Sequence, residues 1–299
     1  MKLSDWKSKG VYFTFNEHQI FTVDEGSGAF LLLIHGFPTA SWDWSKMWPS
    51  LIEDYRVLTL DMLGFGFSDK PRNHSYSIAE QADCIEHFLA EKGIDNIHLL
   101  CHDYGDTVAQ ELLARYQTKS FTRHSSLILK SICFLNGGLF PETHQPLLIQ
   151  KILMSPLGFL VGRLFNRAKL KKNFNQIFGP YTQPSEEELT AFWTLISANG
   201  GRYVFHLLIR YMQERKDNRE RWVGALEKAE IPLRLIDGVY DPISGQNMVD
   251  RYREIIPQPD VVELKDIGHF PLVEAPKWVL QHYTSFRSKR QSKVCLEGS

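Results

Sequence analysis

The stretch "LLCHDYGDTVAQE", residues 99–111, decides how this chain is read. An apolar run ends at Cys101, and Gly105 then opens a segment with apolar residues at helical spacing, which predicts a strand end, a sharp turn and a helix start. Asp103 stands at the apex. A residue at such an elbow takes a strained backbone, and the residues two before and two after it must be small so that strand and helix pass closely. Cys101 is tolerably small and Gly105 is ideal. The helix N-terminus favours an anion at 103 whether Asp103 caps the helix or attacks a substrate, so the elbow alone does not choose between them.

The pattern on either side supplies the architecture. Residues 11–25 alternate as two short strands around Asn16-Glu17-His18, a hairpin. "AFLLLIHG" (29–36), "RVLTLD" (56–61), "NIHLLC" (96–101), the run 125–135, "PLRLIDG" (232–238) and "DVVELKD" (260–266) are apolar runs of the kind found in strands covered on both faces. Helix-sized segments separate most of them, such as 77–93 with Gly93 as its stop. The pattern predicts an α/β fold: a mostly parallel sheet with right-handed helical crossovers and an antiparallel hairpin at one edge. Residues 138–221 break the rhythm with helical periodicity alone. They are expected to form a helical cap over the strand ends, dividing the chain into core (1–137), cap (138–221) and core (222–299).

Composition narrows the partners. Lys plus Arg (34) nearly cancels Asp plus Glu (35) in 299 residues, so no overall field draws in nucleic acid or an anionic membrane, and a small, largely apolar organic substrate is expected. The apolar runs are strand-sized rather than membrane-spanning and the first residues lack the apolar core of a signal peptide, which predicts a cytoplasmic protein without stable membrane insertion. Cysteines 84, 101, 133 and 295 show no CxxC pair or metal spacing, so reduced thiols are expected, with no metal and no cofactor. The basic run "RAKLKK" (167–172) reads as a solvated helix face. Nothing in the sequence speaks to oligomeric state.

The elbow gains meaning from residues far downstream. Asp241 comes just after a strand in "DGVYDP", and His269 follows the last strand in "IGHF", giving the order nucleophile, acid, base used by elbow-bearing hydrolases. "HGFPTASWDW" (35–44) places the Phe37 amide beside the elbow, where with the Tyr104 amide it is expected to form an oxyanion hole. "DMLGFGFSD" (61–69) supplies Gly64 and Gly66 for a tight turn. Trp42 and Trp44 either line the pocket or pack in the core.

Together, His-Gly-Phe-Pro, Asp-Met-Leu-Gly-Phe-Gly-Phe-Ser, His-Asp-Tyr-Gly and Gly-His-Phe resemble the α/β-hydrolase superfamily in its epoxide hydrolase and haloalkane dehalogenase branch, over roughly residues 20–287. "HDYGDTVAQELL", "NGGLFPETHQPLLIQK", "FGPYTQPSEEEL" and "RWVGAL" are similar to the mesoderm-specific transcript proteins of that branch. The resemblance implies an eight-stranded sheet with a helical cap inserted after the sixth strand, and Asp103, Asp241 and His269 as a catalytic triad. A carboxylate nucleophile suits displacement at saturated carbon, giving an alkyl ester of the enzyme, so an epoxide or a haloalkane is the expected substrate. Dehalogenases typically carry Trp after the nucleophile and often Asn after His-Gly, where this chain has Tyr104 and Phe37, which favours epoxide opening. Epoxide hydrolases use cap tyrosines as acids. Here Tyr181, Tyr203 and Tyr211 are available, but a Tyr-Arg pair near the end of the cap is replaced by Ile209-Arg210. Tyr181 is the expected proton donor, with Tyr211 and Trp42 also at the substrate. A haloalkane dehalogenase and a non-catalytic ligand binder are the alternatives; a serine esterase lacks its Gly-x-Ser-x-Gly.

Overall fold

The computed structural model describes residues 1–121 and 127–297, with side chains described as far as residue 288. Eight strands form one sheet: β1 (Val11–Phe15), β2 (His18–Gly26), β3 (Ala29–Ile34), β4 (Tyr55–Leu60), β5 (Asn96–His102), β6 (Ile128–Leu135), β7 (Leu233–Gly238) and β8 (Val261–Leu264). Their order across the sheet is β1-β2-β4-β3-β5-β6-β7-β8. The β1–β2 and β2–β4 pairs are antiparallel and the other five are parallel. The expected hairpin turns at Asn16 and Glu17, whose φ values of 46° and 71° give the left-handed two-residue turn that matches strand twist. Ser125 and Ser126, the expected start of the sixth strand, lie outside the described residues. The eighth strand stops at Leu264 rather than 266, because Asp266 turns the chain with φ 59°.

The central strands are covered on both faces, which is why they read as unbroken apolar runs: Leu31, Leu32, Leu33 and Ile34 are all fully buried. The elbow helix, Tyr104–Thr118, packs between the helices Ile78–Glu91 and Arg219–Glu227 and against β3, β5 and β6. Helix Ile78–Glu91 begins at Ser77, whose side chain accepts the Glu80 amide, and it ends before Gly93 at φ 65°. Between β6 and β7 the described chain is helical, through Leu148–Met154, Gly158–Leu164, Arg167–Ile177, Glu186–Ser197 and Tyr211–Asp217. The helix Arg219–Glu227 runs through the expected boundary at 221 and packs on the elbow helix.

Parallel strands put their C-terminal ends on one edge. The order reverses between β3 and β5, since β4 lies on one side of β3 and β5 on the other. Loops leaving a sheet at such a reversal diverge and open a crevice, the usual ligand site of open α/β sheets. Phe37 follows β3 and Asp103 follows β5, so both stand at that crevice. Cys84, Cys101 and Cys133 are free and buried, while Cys295 lies where no side chain is described. No helix among the described residues is long and apolar enough to cross a membrane.

Candidate active site

Asp103 occupies the apex with φ 46° and ψ −103°, a backbone that side-chain-bearing residues rarely adopt. Gly105 explains how the elbow closes. A Cβ there would stand 2.4 Å from the Ile34 carbonyl oxygen and 2.8 Å from that of His35, so the helix can cross β3 only over a bare glycine. Asp103 is 4% exposed. Its Oδ2 accepts the Phe37 amide at 3.1 Å, and Tyr104 heads the helix, where backbone amides have no partner within the helix.

His269 points its Nε2 at the same oxygen from 3.9 Å and its Nδ1 at Asp241 Oδ2 from 2.7 Å. Asp241 also accepts the Ile243 amide (2.8 Å), the Ser244 hydroxyl (2.8 Å) and the Asn136 side-chain amide (3.2 Å). Burial alone would raise the Asp241 pKa, but the charge of His269 and these donors hold it below the ordinary carboxylate range. An ionised Asp241 fixes the proton on Nδ1 and leaves Nε2 facing Asp103. Burial pushes the His269 pKa down, yet Asp241 and Asp103 together lift it well above that of a free imidazole. Asp103 is likewise opposed by burial but drawn far down by His269 and Arg215. His102 bonds the His269 carbonyl at 2.7 Å, and burial lowers its own pKa to about 4, so it serves there as a neutral donor.

Four contributors were not singled out in the sequence. Asn136, at φ 43° after β6, exchanges two hydrogen bonds with Gly238 and supports Asp241 from the next strand. Ser244 bridges Asp241 and the Asn136 carbonyl. Arg215 is buried with Nε on the Thr107 hydroxyl (2.7 Å) and Nη2 on the Asp103 carbonyl (3.2 Å), 3.6 Å from Asp103 Oδ1. His144 lies beside it, kept neutral by burial and by the guanidinium, with a pKa near 4. The glycine at 138 makes room for both: a Cβ would fall 2.3 Å from Arg215 Nη1 and 3.3 Å from His144 Nδ1.

Of the residues expected at the substrate, Tyr211 is buried against residues of the elbow, whereas Tyr181 is in solvent and Trp42 packs on Phe192; none of the three lines the cavity over Asp103 and His269. The Tyr211 ring is buried 4.8 Å from that of Tyr104 and 6.2 Å from that of Phe37, with the Arg215 guanidinium 4.5 Å from its centre. Tyr181 is 85% exposed: Gly179 and Thr182 on either side of it both bond Glu274, which leaves the tyrosine at the outer tip of its loop. Trp42 packs on Phe192 and donates its indole N–H to the Met1 carbonyl, and Trp44 is core. Tyr203 stacks with Arg72 and Arg202. The Tyr104 ring is buried between those of Phe65 and Tyr211. Gly64 and Gly66 turn with φ 94° and 50°; a Cβ on Gly66 would meet Asp61, whose carboxylate ties Ser41 and Phe67 together.

Over Asp103 and His269 lies a cavity of about 70 Å³, with apolar walls from Leu147, Leu153, Phe165 and Phe174 of the helical insertion. Gln150 and Asn173 also reach the lining, so an apolar guest would meet mostly hydrophobic walls with a few polar groups, the carboxylate and the imidazole among them.

Residues 30–276 match the alpha/beta hydrolase fold family. The mesoderm-specific transcript protein of Mus musculus is 45% identical over 295 residues, covering 95% of this chain and 87% of that protein. A putative hydrolase, LipZ, of Mycobacterium tuberculosis is 38% identical over 275 residues, covering 91% and 93%. Among solved structures, haloalkane dehalogenase DbeA from Bradyrhizobium elkani superposes with a TM-score of 0.79 at 19% identity, covering 95% of this chain and 99% of that one. Epoxide hydrolase CorEH gives 0.75 at 19%, covering 94% and 98%. The two structures share the fold. The family match through the sheet and the insertion, with the near end-to-end likeness to the mouse protein, makes this chain a member of the α/β-hydrolase fold family and of its mesoderm-specific transcript group.

Proposed function

We propose that this hydrolase works through Asp103 as nucleophile, forming an alkyl ester that water then cleaves, and that its substrates are epoxides. The observation that carries the reading is the carboxylate itself: an ionised aspartate at the strained apex, bonded to the Phe37 amide and faced by a histidine paired with Asp241. With Oδ2 on the amide, Oδ1 is the oxygen that attacks carbon. The C–Oδ1 bond forms as the ring C–O bond breaks, and the opening oxygen takes a proton from Tyr211, the cap tyrosine whose ring packs on Tyr104 and Phe37. His269 then removes a proton from water, whose oxygen adds to the ester carbonyl. The Phe37 and Tyr104 amides hold the resulting oxyanion on Oδ2. Collapse expels the diol oxygen, which takes the proton from His269. The carboxyl proton released from Asp103 restores Tyr211 through solvent, so one water is consumed per epoxide.

Charge couples the two halves. The free Asp103 carboxylate helps keep His269 protonated, and alkylation removes that charge. The imidazole therefore loses affinity for its proton once the ester exists, which is when a base is needed.

The choice of leaving group rests on what the oxyanion side lacks. Phe37 offers a halide only its backbone, and Tyr104 stands where dehalogenases carry a Trp indole donor. A matched panel of epoxides, bromoalkanes and esters tests this. Diol formation should exceed halide release for compounds of similar size, and faster halide release would overturn the epoxide assignment.

A further inference from the structure

We infer that the outer face of the helical insertion docks on an anionic phospholipid surface, with the helices Leu148–Met154 and Gly158–Leu164 lying in the membrane interface. The first observation is apolar exposure concentrated on one segment. Leu148 is 73% exposed, Leu157 61% and Leu164 65%, with Ile152 and Phe159 also exposed between them. Scattered apolar residues are ordinary on a protein surface, but so many on two short consecutive helices point to an interaction site.

The second observation is charge. From residue 143 to residue 185 the chain carries no Asp or Glu, and it carries six Lys or Arg. Arg167 and Lys171 pair with Glu186. Lys151, Arg163, Lys169 and Lys172 have no acidic partner among the described residues, and all four are exposed. Apolar side chains bordered by unpaired cations complement an anionic bilayer, in which the former enter the acyl boundary and the latter meet the headgroups. The near-neutral balance of the whole chain conceals this local field.

The third observation is how the face is held. Gly158 and Gly162 seat their helix: a Cβ on Gly158 would stand 2.0 Å from the Leu153 carbonyl oxygen, and one on Gly162 2.2 Å from that of Arg202. That contact fixes Leu157 and Leu164 outward. The inward residues of the same two helices, Leu153 and Val161, line the cavity over Asp103. The docking face and the cavity are thus two sides of one thin layer. The proposal concerns binding alone and stands apart from the chemistry assigned to Asp103.

Co-sedimentation of the full chain with vesicles tests it, using phosphatidylcholine alone and phosphatidylcholine with about one-third phosphatidylserine. Binding is expected on the mixed vesicles, weakened by added salt and weaker on the neutral ones. The doubly substituted Leu157→Asp, Leu164→Asp protein should keep its thermal transition, because both side chains are exposed, and should lose about tenfold or more in vesicle affinity. Arg163→Glu with Lys172→Glu reads the electrostatic part separately and should abolish the preference for phosphatidylserine. Absence of binding to either vesicle would overturn the proposal, as would binding indifferent to both pairs of substitutions. A wild-type dimer that leucine replacement dissociates, without vesicle binding, would assign the face to a second copy of the chain instead.

Discussion

His269 Nε2 stands 3.9 Å from Asp103 Oδ2, beyond the roughly 3.2 Å limit of a good N–H···O hydrogen bond. A serine or thiol nucleophile must pass its proton to the base and needs that bond. A carboxylate has no proton to give, so its base can stand back and act on water. The spacing, the Asp103 elbow and the Asp241 pair support one division of labour, in which carbon is attacked without the histidine and the ester is cleaved with it.

Tyr211 and Tyr181 separate cleanly under that scheme. Tyr211→Phe keeps the ring packed on Tyr104 and removes only the hydroxyl, so single-turnover alkylation should slow by about 10²-fold or more while ester hydrolysis holds. Tyr181→Phe should leave both steps alone, since the side chain is in solvent. Slowing by the second substitution and not the first would return the acid to Tyr181.

The pH dependence of the two steps should differ. Asp103 is ionised throughout the working range, because His269 and Arg215 outweigh its burial, so alkylation should persist into acid. Hydrolysis needs neutral His269, whose pKa is raised by Asp241, and it should fall about tenfold per pH unit once the imidazole of the adduct is protonated. Rapid-quench mass spectrometry of the wild type should therefore find more adduct at low pH than at neutral pH. Equal decline of both steps would contradict the division.

Asp237 offers a stability test on a residue that takes no part in the proposed chemistry. Its carboxyl is buried with neither oxygen hydrogen-bonded, and burial, reinforced by Asp241, pushes its pKa well above the ordinary value. The folded state thus holds a proton that the unfolded chain releases above about pH 4, and stability drains as pH rises. Asp237→Asn removes that dependence. Its stability relative to wild type should grow by about 1.4 kcal/mol per pH unit above that point, until the buried group itself ionises. Denaturant titrations at several pH values measure it, and a constant difference would show that Asp237 is ionised in the fold.

Gly105→Ala should destabilise by about 1–3 kcal/mol, the usual cost of forcing a methyl into packed structure, because its Cβ would meet β3 backbone that cannot step aside. An unchanged urea midpoint would mean that the elbow helix has slack.

How far the sequence reached depends on what shapes each feature. The strands were legible because burial on both faces writes itself as unbroken apolar runs, and the elbow because Asp103 and Gly105 answer to local backbone geometry. Tyr181 and Trp42 were not, because the direction of a side chain in a loop or short helix is set by distant partners: Glu274 for the one, Phe192 and Met1 for the other. Arg215 sits in "YMQERKD", which carries no motif. Only the packing of that helix over the elbow turns its guanidinium onto Thr107 and Asp103. Asn136 opens "NGGLFPETHQPLLIQK", a stretch that carried family likeness but no sign that its amide would reach Asp241 just after the next strand.

The central claim is that Asp103 becomes covalently attached to substrate, and the His269→Gln protein tests it most directly. Attack on carbon needs no histidine and should proceed, while ester hydrolysis loses its base and should slow by about 10²- to 10⁴-fold. Intact mass after mixing with an epoxide that wild type turns over should rise by the mass of the whole substrate, and peptide mapping should place the addition on Asp103. The Asp103→Ala protein should show neither adduct nor turnover. Turnover by wild type with no adduct in His269→Gln, or an adduct on another residue, would contradict the assignment of Asp103 as the nucleophile.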